Sequence, residues 1–288
     1  MIIAHNQFEL LEVLVKMLDD VRNDIYIHID AKISDFDFEK LKSVTEYSQL
    51  YFTDRISVTW GDFSQIQCEM LLLKAAVEKE DKSNPYVYYH LLSGVDLPIK
   101  TNDEIHRFFE ANNGKEFVHF TNNNPLPEFE NRIKYYHLFR KKRNLFYKIL
   151  AQIALRMQKF IGINRIKNKH LTVQKGSNWF SITASFAKYL VMKNDEINSI
   201  FKYSYCSDEV FLQTMLVNSI YKDNLYMPEC DNNQLAAARL IDWKRGNPYV
   251  FKSADFEEII ASPAMFARKF SLEDKDIIYR IKSYIEAL

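Results

Sequence analysis

Two acidic residues, Asp208 and Glu209, follow Ser207 at the head of a segment whose apolar members are Val210, Phe211, Met215 and Leu216. That spacing predicts a helix from Asp208 to Val217 with both carboxylates in its first turn. Acids placed there commonly do no more than complement the helix dipole. In an apolar cleft, a carboxylate such as Glu209 could instead accept a proton from a hydroxyl as its oxygen attacks. Cations able to hold a departing diphosphate lie further along: Arg268 and Lys269 between Phe266 and Phe270, and Arg245 two positions after Trp243. Singly, such residues are more often surface charges. Together they could stabilise charge on a leaving group, a task that a divalent metal performs in other enzymes.

Two Asp-x-Asp triplets, Asp35-Phe36-Asp37 and Asp274-Lys275-Asp276, invite a metal reading. Each stands where a helix begins and acids are expected, so neither is taken as a metal site. The seven histidines lack paired ligand spacing, which argues against zinc. The three cysteines, Cys68, Cys206 and Cys230, form neither a CxxC pair nor a disulfide framework and suit a reducing compartment.

The elements that must position these groups alternate between strand and helix through the first 120 residues. Met1 to His5 is a short apolar run, and Phe8, Leu11, Leu14 and Leu18 then recur at helical spacing. Asp24 to Asp30 alternates, with Ile25, Ile27 and Ile29 on one face of a strand. A helix is expected over Asp37–Val44 and a strand over Gln49–Phe52. Ser64 with Gln67 reads as a capping box opening a helix to Glu78. Tyr86–Leu92 and Glu116–Phe120 read as strands, with a helix starting at Thr101 between them. This order predicts an α/β fold: a mostly parallel sheet with helices on both faces. Ligands of such sheets settle at the carboxyl ends of the strands, where His5 and Asp30 fall. Asp30 could equally cap the segment that follows it.

Beyond Thr121 the rhythm changes. Phe146, Ile149, Leu150, Ile153, Met157, Phe160 and Ile161 make one apolar stripe opposed by Lys148, Gln152, Arg156 and Lys159, an amphipathic helix ending near Gly162. Further helices are expected over Phe186–Met192, Asp208–Val217 and from Glu273, and strands at Leu225–Met227, Leu240–Trp243 and Tyr249–Phe251. We read one domain over 1–288, with halves to 120 and over 121–270 and a C-terminal helix over 271–288.

Composition excludes several classes. Apolar residues form 47% and charged residues 26% of the 288, ordinary for a folded chain, and only 6 Gly and 7 Pro speak against disorder and against a glycine-rich phosphate loop. No run of about 18 apolar residues offers a membrane span. The start is too short for a signal peptide, and a cytoplasmic location is expected. Lys and Arg balance Asp and Glu at 38 each, yet residues 131–194 contain fifteen Lys and Arg and no Asp or Glu. Such a block signals a partner. A nucleic acid is disfavoured, since no binding module accompanies the block and the acidic remainder repels a polyanion. The amphipathic helix could dock on an anionic membrane, or its apolar face could pack on the sheet.

The segments also recur in a known order: Ile-Ile-Ala-His5, Tyr-Ile-His-Ile-Asp30, Trp60-Gly-Asp-Phe-Ser64, Leu92-Ser-Gly-Val-Asp96-Leu-Pro-Ile-Lys100, Lys175-Gly-Ser-Asn-Trp179-Phe, Ser207-Asp-Glu209, Ile241-Asp-Trp243 and Met265-Phe-Ala-Arg-Lys269-Phe. From Ile2 to Phe270 the chain resembles the core-2/I-branching β-1,6-N-acetylglucosaminyltransferases and peptide O-xylosyltransferases. The resemblance implies a GT-A-like, Rossmann-type mixed sheet flanked by helices, working without a metal or other cofactor. It implies Glu209 as base, Lys269 as a diphosphate ligand, and Ile3, His5 and Asp30 around the nucleoside. Arg245 fits the second diphosphate cation only with a small shift, and Arg268 could share that work. Trp243, Arg132 and Trp179 fall on the acceptor side. The implied reaction is an inverting transfer from a UDP-sugar, with N-acetylglucosamine expected and xylose the alternative, to a glycan or lipid-linked glycan. The pattern suggests a bacterial member building a surface polysaccharide. A sugar-binding relative without catalysis is the rival, and the presence of Glu209 and Lys269 speaks against it.

Overall fold

The computed structural model describes residues 1–122, 126–139, 144–167 and 169–288. Its frame is a four-stranded parallel sheet of order β3-β2-β1-β5, formed by Ile2–Ala4 (β1), Asp24–Ile29 (β2), Gln49–Phe52 (β3) and, later in the chain, Leu92–Ser93 (β5). Ile2 pairs with Ile27 and Leu92, and Ile25 with Leu50. Side chains of a strand alternate between faces. Accordingly Ile25, Ile27 and Ile29 enter one hydrophobic cluster and Tyr26 the other. Helix Phe8–Met17 (α1) covers the first face with Leu10, Leu11 and Leu14 fully buried, while Ser64–Lys79 (α3) covers the second with Ile66, Leu72 and Leu73. Helices on both faces are therefore as the alternation predicted.

Two three-stranded sheets complete the frame. Tyr88–His90 (β4), Phe180–Thr183 (β8) and Phe117–Val118 (β7) pair antiparallel in the order β4-β8-β7. Asp96–Pro98 (β6), Phe266–Arg268 (β10) and Arg239–Ile241 (β9) pair in the order β6-β10-β9. The expected strand Tyr86–Leu92 is thus two strands in different sheets, parted at Leu91, whose amide donates to the Phe180 carbonyl. Arg239 locks this junction: fully buried, it donates to the carbonyls of Leu91, Phe180 and Ala237 and to Ser181 Oγ, with its guanidinium 4.4 Å from the Phe266 ring. Burial lowers its pKa to about 9.

The other helices are Phe38–Lys42 (α2), Asn102–Ala111 (α4), Leu126–Lys134 (α5), Leu145–Phe160 (α6), Ala184–Met192 (α7), Asn194–Phe201 (α8), Asp208–Val217 (α9), Phe256–Ala261 (α10) and Lys275–Glu286 (α11). Both acidic triplets serve as caps: Asp37 accepts from the Lys40 amide and Asp274 from the Ile277 amide. The capping box at Ser64 does not form. Phe63 already has helical dihedrals, so Ser64 lies inside the helix and its Oγ accepts from the Thr59 amide instead. Leu225–Met227 contributes a single bridge, Leu225 to Glu116, rather than a strand, and Tyr249–Phe251 is not a strand. Helix α6 buries only Ala151 and Gln158, leaving its apolar stripe in solvent, so the packing on the sheet allowed by the sequence is not what the fold adopts. Among the described residues, no helix is long and apolar enough to cross a membrane.

Candidate active site

The carboxyl ends of β1, β2 and β5 open into a cavity of about 520 Å³, within the usual size of a small-molecule site, about 300–1,000 Å³. Its wall includes Ile3, His5, Asp30, Ser93, Trp179 and Arg268. Asp30 sits where the cavity wall meets the segment that follows β2. It lines the cavity, and it shapes the rim: Oδ1 accepts from the Lys32 amide at 2.9 Å, while Oδ2 meets the Val58 amide and the Lys32 ammonium, both at 3.3 Å. His5 stands on the rim, where desolvation by surrounding protein lowers its imidazole pKa and the Asp30 carboxylate opposes that shift. Gly94 permits the turn after β5 to close on β1, since a Cβ there would stand 2.9 Å from the Ala4 Cβ.

Arg268 enters from the end of β10 and is held on two sides. Its Nη1 pairs with the buried Asp96 at 2.7 Å and contacts Ser93 Oγ, and its guanidinium lies 4.2 Å from the Trp179 ring. Asp96 is itself fixed by the Ser93 amide and hydroxyl at 2.8 and 2.7 Å. The cation is therefore oriented before any ligand arrives. Lys269 is next in the chain, with its carbonyl accepting from the Phe251 amide. Among the described residues no carboxylate pairs with the Lys269 ammonium.

Arg245 is placed otherwise than the sequence suggested. It pairs with Asp242, with Asp255 at 2.7 Å and with Glu258 at 2.8 Å, and stacks 4.3 Å from the Tyr249 ring. It does not line the cavity. Three carboxylates leave this cation no net charge for a phosphate. Trp243 is 49% exposed and lies two residues past Ile241, the register partner of Arg268. Its ring is off the cavity wall, on the surface nearby in the chain.

Glu209 occupies the first turn of α9, as predicted. Its Oε2 accepts from Arg132 Nη1 at 2.8 Å and lies 3.4 Å from Lys175 Nζ. Arg132, from α5, also donates to the Cys206 carbonyl at 3.1 Å. Lys175 arrives on a strap made possible by Gly176, whose amide donates to the Glu209 carbonyl. A Cβ on Gly176 would stand 1.8 Å from the His119 carbonyl oxygen, so only glycine fits this crossing. His119 secures the strap further, its Nδ1 accepting from the Ser177 amide at 3.0 Å. Glu209 is 40% exposed at its side chain and is not part of the cavity wall.

The link between cavity and carboxylate is one the sequence reading missed. Gln65 lines the cavity from α3, and its amide donates to Asp208 Oδ2 at 2.7 Å. One helical turn on, Glu69 also lines the cavity, is nearly fully buried, and has Oε2 without a partner. Burial and the neighbouring Asp208 push the Glu69 carboxyl well above the usual carboxylate range. Burial, then the charge of Glu209, pushes Asp208 up to about 7. Glu69 on the cavity wall and Asp208 beside Glu209 thus form a buried, coupled acid pair. The signal was present: Glu69 shares a helical stripe with Ile66, Met70 and Leu73, where an apolar residue is expected.

Among the described residues, no group of three or more His, Cys, Asp or Glu side chains is placed to hold a metal ion. What converges instead is a cavity at parallel strand ends, an oriented cation and a carboxylate gripped by two cations. The frame is that of a GT-A-like α/β fold. A profile described as "Branch: Core-2/I-Branching enzyme" matches residues 1–261, and the chain belongs to this family of glycosyltransferases. It is similar to Xylosyltransferase 1 of Rattus norvegicus, 25% identical over 280 residues, covering 90% of this chain and 32% of that protein. Against Xylosyltransferase 2 of Canis lupus familiaris it is 25% identical over 289 residues, covering 94% and 31%. The chain therefore spans about a third of the length of these curated relatives.

Proposed function

We propose that the protein transfers a sugar from a UDP-sugar to a hydroxyl of a glycan or lipid-linked glycan, with inversion and without a metal, in surface polysaccharide synthesis. The nucleoside lies against Ile3, His5 and Asp30. Lys269 and Arg268 meet the diphosphate, and Arg245 drops out of that set because its charge is already met. Glu209 takes the proton of the acceptor hydroxyl as the oxygen bonds to the anomeric carbon. The bond from that carbon to the UDP oxygen breaks on the opposite face. Arg132 and Lys175 fix Oε2 of this base, and Trp179 and Trp243 offer apolar ring faces to the sugars.

The observation that carries this reading is the grip of Arg132 and Lys175 on Glu209, joined through Asp208 and Gln65 to the cavity. N-acetylglucosamine is our first donor, from the sequence pattern. Xylose is the second reading, favoured by the names of the relatives. A thermal-shift screen over UDP-sugars, followed by hydrolysis of the stabilising one in excess EDTA, tests both. Stabilisation by a UDP-sugar and undiminished hydrolysis in EDTA are expected. No stabilisation by any UDP-sugar refutes the donor class, and strict Mn²⁺ dependence refutes the metal-free step.

A further inference from the structure

Helix α6 presents an apolar face that the fold leaves uncovered. At about 100° per residue, Phe146, Ile149, Ile153, Met157 and Phe160 form one stripe, roughly 150° around the axis from Ala151 and Gln158, the two buried residues. Phe160 is 92% exposed, Phe146 64% and Met157 62%. Contiguous exposed apolar surface of this kind marks an interaction site. About the same axis Arg156 stands roughly 60° from the middle of the stripe, and Lys159 and Lys148 roughly 120° and 140°, all on one side, and no carboxylate occurs anywhere between residues 131 and 194. A helix roughly 24 Å long, apolar on one face and basic beside it, has the character of an interfacial helix.

We propose that this face seats the protein on an anionic lipid surface, the apolar stripe entering the acyl boundary and the cations meeting the headgroups. Charge complementarity selects the occupant: a second copy of the chain would bring the same cations against these, whereas an anionic bilayer attracts each of them. The helix is also tied to the catalytic region. Gln158 exchanges hydrogen bonds of 2.7 and 2.9 Å with the backbone of Tyr136, which follows by four residues the Arg132 that holds Glu209. A bilayer under α6 thus lies beside the acceptor side of the site. This places the acceptor among glycans carried on a lipid, and in that respect rests on the proposed transferase reading.

Flotation of the chain with vesicles of phosphatidylcholine alone, and of phosphatidylcholine with phosphatidylglycerol, tests the proposal. Binding only to the phosphatidylglycerol vesicles at low salt, weakened at high salt, is expected. M157E/F160E lowers that partitioning on the order of 100-fold. K148E/R156E lowers it at least ~20-fold. Both variants keep the thermal stability and UDP-sugar hydrolysis of the parent in solution, since these side chains are exposed and off the site. Failure to float with phosphatidylglycerol vesicles at low salt overturns the proposal. So does flotation of M157E/F160E equal to the parent, or a dimer in sedimentation that this variant disperses. Hydrolysis in solution reports the transferase reading separately, so loss of one leaves the other standing.

Discussion

Glu209→Gln separates the role of charge from the role of shape at the proposed base. The amide keeps an acceptor for Arg132, now at 2.8 Å from Oε2, and loses the attraction to Lys175 at 3.4 Å. Because the side chain is 40% exposed, losing that pair is worth no more than about 1 kcal/mol. For a chain of this size that moves the melting temperature by roughly 2–4 °C or less. UDP-sugar binding is preserved, since Glu209 is not part of the cavity wall. Turnover falls ~100-fold or more, the typical contribution of a positioned base. The assays are melting with and without donor, and transfer or hydrolysis at saturating donor. Near-normal turnover in Glu209→Gln refutes the assignment. Lost turnover together with lost donor stabilisation refutes it equally, because the residue would then act in binding or folding.

The buried acid Asp208 makes stability fall with rising pH. Its folded pKa of about 7 exceeds the ordinary 3.8, so between those values the native state holds a proton that the unfolded chain has released. Relative to Asp208→Asn, the parent should lose roughly 2 kcal/mol between about pH 5 and about pH 7 in urea titrations, and parallel curves would contradict the burial argument. Gly176→Ala forces the strap off α9, because its Cβ meets the His119 carbonyl, and should cost several-fold in turnover with a lowered melting temperature; retention of both would mean that the strap relaxes freely. Lys269→Met should weaken UDP binding ~10-fold or more, as expected for a lost charge-assisted contact, while Arg245→Met leaves it within ~2-fold. Calorimetry with UDP distinguishes them, and the reverse ranking would return Arg245 to the diphosphate.

How much was legible beforehand depended on the range of the interactions involved. Spacing alone gives helix α9 with its bounds and places both acidic triplets at helix starts; that Asp37 and Asp274 are the caps, each bonding an amide three residues on, is seen in the structure. The division of residues 86–92 between two sheets was hidden, since period and apolarity say nothing about which partner a strand finds. Glu69 broke an apolar stripe, yet its meaning emerged only when α9 brought Asp208 against it.

The sequence by itself determined the alternation of strands and helices, the placement of Asp30 at a strand end and of Glu209 in a first helical turn. Backbone periodicity and capping are local, so the order of residues encodes them directly. Tertiary structure alone decided that Arg245 spends its charge on three carboxylates, that Arg132 and Lys175 reach Glu209 from separate segments, and that α6 turns its apolar stripe outward. Periodicity tells which residues share a face; whether that face meets protein, lipid or water depends on elements far away in the chain.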